Sequence, residues 1–130
     1  MLLLRKKKLY KWLDNKIKEI PDDQKKQIVS YNFNLYEGIN SYHIQLIGSN
    51  SNPENLEDWY CDEVYTSGED VFIIKASIFI KTWEKALNLC KKLVNEYLKK
   101  GEYATQLKEK KYIGIGFVDG DNEIIYKKGE

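Results

Sequence analysis

The sequence predicts an α+β fold in which a mainly antiparallel sheet of about five to six strands carries two main helices. Two segments repeat apolar residues every three or four positions, as one face of a helix does, and several shorter segments alternate apolar and polar residues, as half-buried strands do. Their order is α-β-β-β-β-α-β-β, and runs of neighbouring strands are typical of antiparallel pairing. A length of 130 residues suits one hydrophobic core. We therefore predict a single domain over residues 1–130.

The first helix is predicted from about residue 5 to residue 20. Its apolar stripe is Leu9, Trp12, Leu13, Ile17 and Ile20, and lysines occupy the opposite side. Pro21 ends it, because proline disfavours a helical residue before it. The polar residues 22–27 then form a connection.

Four strands are predicted to follow. Residues 29–36 and 42–47 alternate in polarity around a turn at 37–40, which indicates a hairpin. Residues 48–58 form a loop that is rich in Ser and Asn. A third strand is expected at 59–66 and a fourth at 71–74, and the consecutive apolar residues of the fourth indicate a central strand covered on both faces.

The second main helix begins after Thr82, a candidate N-cap. Its predicted core stripe runs from Trp83 to Leu98 without a gap, and Gly101 is expected at the C′ position. Residues 103–110 are weakly helical, and strands 112–118 and 123–126 flank a turn at 119–122. Gly114 and Gly116 within a strand indicate a bulge or a close backbone contact.

Composition narrows the possible function. The apolar runs are short, so we expect no transmembrane helix and no membrane partner. Cys61 and Cys90 do not form a C-x-x-C pair, which favours two reduced thiols, Cys90 being buried, in a cytoplasmic protein.

No catalytic set is evident, so the protein is not predicted to be an enzyme. His43 is the only histidine, and no nucleophile motif accompanies it. The acidic 119–123 segment resembles the start of a calcium loop, but Ile124 replaces the glycine required at the sixth position. The two glycines lack the following helix of a dinucleotide loop. We predict no metal site and no cofactor. A small-ligand enzyme that uses His43 with acids of the 62–70 region or of the 119–123 turn stays an alternative.

The acidic middle of the chain is the predicted partner-binding surface. Residues 53–81 carry two basic and seven acidic residues, whereas residues 1–52 carry nine basic and five acidic residues. Aromatic anchors within a charged rim are typical of specific protein interfaces. The candidate binding residues are Glu54, Glu57, Asp58, Trp59, Tyr60, Asp62, Glu63, Tyr65, Glu69 and Asp70. The alternative is that Trp59 and Tyr65 fill the core while the acids keep the loop hydrated.

The basic first helix offers a different partner. Lys6, Lys7 and Lys8 could contact phosphates, which makes a small nucleic-acid-binding accessory protein the second alternative. The near-neutral balance of the whole chain argues against it.

An acidic turn and an apolar strand lead to the segment Thr82-Trp-Glu-Lys-Ala-Leu87, and Ile115-Gly-Phe-Val-Asp-Gly-Asp121 follows near the end of the chain. In these features residues 59–121 resemble small bacterial immunity proteins of polymorphic toxin and contact-dependent growth inhibition systems. The resemblance implies a cytoplasmic inhibitor that binds a cognate toxin domain, in many such systems a nuclease. Basic nuclease sites hold phosphate backbones, so an acidic inhibitor surface would suit them. The sequence does not identify the toxin, the strand order or the oligomeric state.

Overall fold

The computed structural model describes residues 2–129, and their side chains from residue 4 onward. The elements are helices α1 (Leu2–Lys18) and α2 (Asp22–Gln27), strands β1 (Ser30–Gly38), β2 (Ser41–Ser49), β3 (Glu63–Thr66) and β4 (Phe72–Lys75), helices α3 (Trp83–Lys100) and α4 (Ala104–Lys108), and strands β5 (Tyr112–Phe117) and β6 (Asn122–Lys127). A single 3-10 turn, Trp59–Cys61, precedes β3. The predicted α+β class and the predicted β1–β2 hairpin are both confirmed.

The six strands form one sheet in which only the β1–β5 pair is parallel. The main path runs β3-β2-β1-β5-β6. Strand β2 is long enough to pair with two short strands: its first half pairs with β4 and its second half with β3, both antiparallel. Strands β3 and β4 therefore lie end to end along one edge of the sheet, and β6 forms the other edge.

Helices α1 and α3 cover one face of the sheet. Alternate residues of the central strand, Tyr31, Phe33 and Leu35, are buried in a single core with the apolar stripes of both helices. The hydroxyl of Tyr97 in α3 donates a hydrogen bond of 2.6 Å to Asp14 in α1, which joins the two helices directly. Among the described residues, no helix is long and apolar enough to cross a bilayer.

A chain of side-chain amides crosses the opposite face. Asn122 donates to Asn32 at 2.9 Å, and Asn32 donates to Asn34 at 2.7 Å. Asn34 then donates to Gln45 at 3.2 Å, and Gln45 donates to the carbonyl of Gly68 at 3.0 Å. Because these partners satisfy one another, Asn32 and Asn34 can be buried without an unpaired amide.

Two glycines of β5 make room for this amide chain. A Cβ on Gly114 would collide with Asn32 and would lie 3.0 Å from the ring of Trp59, while a Cβ on Gly116 would lie 2.5 Å from the carbonyl of Asp121. The β5–β6 register shifts at Gly114. The predicted bulge and close backbone contact are thus confirmed.

The structure corrects several boundaries. The first helix occupies 2–18 and not 5–20, and the predicted connection at 22–27 is helix α2. The predicted third strand begins at Glu63, since Trp59 lies in the 3-10 turn. Strand β4 is an edge strand and not a central one, because it pairs with β2 alone and leaves Ile73 55% exposed.

The ends of α3 also differ from expectation. The hydroxyl of Thr82 accepts a hydrogen bond from the Lys85 amide at 3.3 Å, which confirms the N-cap. Trp83, however, lies outside the core at 50% exposure, one turn before the buried stripe begins at Ala86. Gly101 is extended (φ −67°, ψ 150°) and not left-handed, so the C′ prediction is wrong. Its lack of a side chain instead makes room for the ring of Tyr97.

Candidate functional site

The aromatic residues of the predicted acidic surface are used mainly inside the protein. Trp59 is 2% exposed and lies over the amide face, where its carbonyl accepts a hydrogen bond of 2.5 Å from Ser49. Tyr65 is 9% exposed, and its hydroxyl donates to the Lys16 carbonyl at 3.0 Å. Tyr60 is half-buried and packs edge-on against Trp59. Trp59 and Tyr65 therefore contribute no accessible ring to a partner.

The acids of the same stretch divide into two groups. Asp70 pairs with Lys16 of α1, and its carbonyl accepts a 3.2 Å hydrogen bond from the Trp12 indole, so it holds the β3–β4 turn against α1. Its neighbour Glu69 is exposed. At the start of β3, Asp62 accepts a 2.7 Å hydrogen bond from Ser51. We call the exposed acids before and at this point the acidic loop: Glu54, Glu57, Asp58, Asp62 and Glu63.

Within the acidic loop only Glu54 has an ion-pair partner, Lys111, at a long 3.9 Å, among the side chains that the structure describes. The loop also leaves Leu56 44% exposed. The acidic loop is therefore negatively charged, as the predicted binding surface requires, but the exposed apolar residue at its centre is aliphatic and not aromatic.

His43 lies on β2 with Ser41 as its neighbour. Its Nε2 is 3.0 Å from the Ser41 hydroxyl, and it faces Ile73 across the β2–β4 pair. Within residues 4–129 it forms no ion pair with a carboxylate. The same part of the chain contains no group of three or more His, Cys, Asp or Glu residues that could hold a metal ion. Cys61 is exposed, Cys90 is buried as predicted, and both thiols are free.

A second surface, not indicated by the sequence, lies at the opposite end of the sheet from the acidic loop. Because β1 and β5 are parallel, the β1–β2 and β5–β6 turns emerge at the same end. The loop after β4 joins them, since the Ala76 amide donates to the Asn40 carbonyl at 2.9 Å. We call the large apolar residues exposed here the apolar end: Ile39 (95%), Ile78 (70%), Phe79 (79%), Trp83 (50%) and Val118 (46%).

A groove of about 700 Å³ opens beside the apolar end. Its aromatic wall is built on Phe117, whose ring meets Trp83 edge-on at 6.2 Å and Tyr42 at 6.1 Å. The groove lining is Tyr36, Glu37, Trp83, Leu87, Phe117, Val118, Asp119, Gly120, Asp121 and Glu123. It therefore combines four carboxylates with aromatic and aliphatic side chains and includes no basic residue.

Only one of these carboxylates is neutralised by a partner. Glu123 pairs with Lys91 of α3 at 3.0 Å. Glu37, Asp119 and Asp121 are exposed, and no described side chain forms an ion pair with them. The groove is therefore an electronegative site with an apolar wall.

Lys6, Lys7 and Lys8, which the sequence offered as phosphate contacts, differ in their surroundings. Lys6 pairs with Glu96 of α3 at 2.6 Å, while Lys7 and Lys8 stay exposed. A larger cluster forms where β1 and β5 begin and β6 ends, since Lys110 donates to the carbonyl of Lys25. We call it the lysine end: Lys25, Lys26, Lys108, Lys110, Lys111, Lys127 and Lys128.

Sequence reasoning missed the apolar end and the groove because it assigned Trp83 to the core and interpreted residues 119–122 only as a hairpin turn. A signal was present in the Ile78-Phe79-Ile80 run, which falls in a loop between β4 and α3. Ile80 alone of the three is buried.

No protein-family model matches the chain, and neither the curated proteins nor the solved structures yielded a match.

Proposed function

We propose that this protein is an immunity protein, which binds a cognate bacterial toxin domain in the cytoplasm and neutralises it. The observation that supports a binding function is the apolar end, where Ile39, Ile78, Phe79, Trp83 and Val118 are exposed together. Exposed apolar groups that form a patch with a polar rim mark interaction sites in proteins of this size. Phenylalanine and tryptophan are also the residues that protein interfaces favour over the rest of the surface.

The acidic surfaces support a basic partner. The described lining of the groove contains four carboxylates and no basic residue, so the groove would attract a positively charged protein. The acidic loop is negative too, but it shares its end of the sheet with the lysine end, where Lys111 pairs with Glu54. Such attraction raises association rates by tenfold or more at low salt. A nuclease domain, whose active site must hold a phosphate backbone, is the class of toxin that this charge suits best.

If the gene immediately upstream encodes a large secreted protein, co-expression with the C-terminal domain of that protein tests the proposal. We expect the wild-type chain to restore growth to cells that express this domain and to copurify with it. Phe79→Ser should weaken the complex by roughly thirtyfold, the effect of losing about 2 kcal/mol at an interface hot spot. Ile73→Ser is the matched control, because Ile73 is 55% exposed on β4 and lies outside the apolar end. The proposal would be refuted if the wild-type chain neither restored growth nor formed a complex with this domain.

The acidic loop has its own test. Glu57, Asp58, Asp62 and Glu63 changed together to lysine should slow association with the toxin domain, most strongly at low salt, where charges act over longer distances. The control is Glu102→Lys, which reverses a single distant charge on the exposed turn before α4. An unchanged association rate would exclude the acidic loop from the interface.

The lysine end supports a second candidate, a nucleic-acid-binding accessory protein. Seven lysines from three segments gather there, and phosphate backbones bind such clusters with a strong dependence on salt. We expect salt-sensitive retention on single-stranded DNA if this candidate is right. Lys110→Gln with Lys128→Gln should then release the protein at lower salt than Lys7→Gln with Lys8→Gln does, and equal elution would refute a role for the lysine end.

A further inference from the structure

We infer that the groove beside the apolar end receives an arginine or lysine side chain from a basic segment of the protein partner. This inference rests on the proposed function and deepens it, since it names the chemistry that the partner must present. The occupant is a short polypeptide stretch in which a cationic residue lies next to apolar ones.

Charge complementarity is the main argument. The groove lining includes Glu37, Asp119, Asp121 and Glu123 and no basic residue, and only Glu123 has an internal partner. Three carboxylates thus face solvent beside an apolar wall, where a partner's guanidinium or ammonium group would be held by charge-assisted hydrogen bonds. An anionic or uncharged occupant would leave them unpaired.

The aromatic wall favours the same occupant. Trp83 is half-exposed and lines the groove together with Phe117 and Tyr36. Cations are attracted to the faces of aromatic rings, most strongly to tryptophan. Arginine satisfies both parts of the site, because its planar group can stack on a ring while it pairs with a carboxylate.

The size of the groove leaves room for a short peptide segment around the cationic side chain. A volume of about 700 Å³ lies within the range of pockets that hold drug-sized ligands. The apolar end continues from the groove through Val118 and Trp83, which belong to both. A segment that places a cation in the groove can therefore lay its apolar neighbours on Phe79 and Ile78.

A peptide titration tests the groove without the partner. The probe is a short peptide of alternating arginine and leucine, and its matched control carries neutral citrulline at each arginine position. The readout is the indole N–H signal of Trp83 in the ¹⁵N-labelled protein, assigned by its loss in Trp83→Phe. We expect the arginine peptide to shift this signal and the citrulline peptide to leave it unchanged.

Charge-neutralising variants locate the binding. Glu37→Gln, Asp119→Asn and Asp121→Asn together should weaken arginine-peptide binding by about tenfold, since exposed charge pairs are individually weak and act here as a group. A second triple variant of exposed acids, Asp22→Asn, Asp23→Asn and Glu102→Gln, makes the same change in net charge far from the groove and should keep the affinity. Equal shifts with both peptides, or equal losses in both triple variants, would overturn the inference.

The toxin complex separates this inference from the proposed function. If the wild-type chain neutralises the toxin domain and the groove variant binds that domain equally well, the groove inference fails and the proposed function stands. If no toxin is bound but the arginine peptide still shifts the Trp83 signal in a groove-dependent manner, the proposed function fails and the groove stands as a cation-binding site for another partner.

Discussion

Replacing Gly114 with alanine tests whether the amide chain and the Trp59 ring form one tightly packed layer. Gly114 does not have the left-handed backbone that would by itself exclude alanine. A Cβ there would nonetheless collide with the side-chain oxygen Oδ1 of Asn32 and would lie 2.8 Å from the side-chain nitrogen Nδ2 of Asn122 and 3.0 Å from the Trp59 ring. The substitution therefore adds a single methyl group to a space that three side chains already fill.

The expected loss of stability follows from these contacts. Overpacking a filled interior costs about 1–3 kcal/mol. Loss of the hydrogen bond from Asn122 to Asn32 adds about 1 kcal/mol, and the reduced entropy of the unfolded chain offsets roughly 0.5 kcal/mol. We therefore expect the free energy of unfolding to fall by about 1.5–3.5 kcal/mol, which lowers the urea midpoint by roughly 1–2 M at an m-value of about 1.5–2 kcal/mol/M.

Urea unfolding followed by circular dichroism provides the measurement, and Gly120→Ala provides the control. A Cβ on Gly120 would lie 3.7 Å from its nearest neighbours in Phe117, an ordinary van der Waals distance, so this variant should change the free energy of unfolding by less than about 1 kcal/mol. If Gly114→Ala is as stable as Gly120→Ala, the layer is loosely packed and the reasoning is wrong.

Three further changes have definite expectations. Burial raises the pKa of the Cys90 thiol to about 12. At pH 8 a thiol reagent should therefore modify only Cys61 in the native protein and both cysteines after unfolding. Rapid modification of both cysteines in the native protein would contradict this expectation. Tyr97→Phe removes the hydroxyl that donates a 2.6 Å hydrogen bond to Asp14 and should lower the free energy of unfolding by about 1–3 kcal/mol, measured by urea titration. An unchanged unfolding midpoint would show that this hydrogen bond contributes nothing to stability. Thr82→Ala removes the N-cap of α3 and should cost about 1 kcal/mol by the same assay, with Thr82→Ser retaining most of the stability.

The sequence predicted the elements with strong periodicity well. Helix α3 was located almost to the residue because its apolar stripe, its capping threonine and its final lysines agree. The β1–β2 hairpin was predicted from polarity alternation, although the polar residues of β1 proved to be buried in the amide chain. Alternation therefore located the strand correctly and said nothing about what covers its polar face.

The errors arose where tertiary pairing decides the environment. The apolar run of β4 was interpreted as a central strand, yet β4 is four residues long and shares β2 with β3, so Ile73 points to solvent. Trp59 was assigned to a strand and to a binding surface, but its ring covers Gly114 from a 3-10 turn. Neither the exposure of Ile73 nor the position of Trp59 could be predicted from the local pattern of residues.

The groove could not have been predicted by any local rule. Its wall combines residues 36–37, 83–87 and 117–123, which are brought together only because β1 and β5 are parallel and α3 begins beside their ends. The charge distribution along the sequence directed attention to the acidic middle of the chain. The groove carboxylates are residues 37, 119, 121 and 123, which lie outside the acidic segment 53–81.

The tandem arrangement of β3 and β4 has a consequence for how this chain meets other copies of itself. A long flat edge strand exposes a row of backbone groups on which another chain can add a strand and begin to aggregate. Here that edge consists of two four-residue strands interrupted by a turn, which Asp70 and Lys16 hold against α1. The other edge, β6, ends at Lys127 and is followed by Lys128, and the like charges of these lysines repel a second copy. We therefore expect strand-to-strand fibre growth from the native state to be disfavoured at both edges.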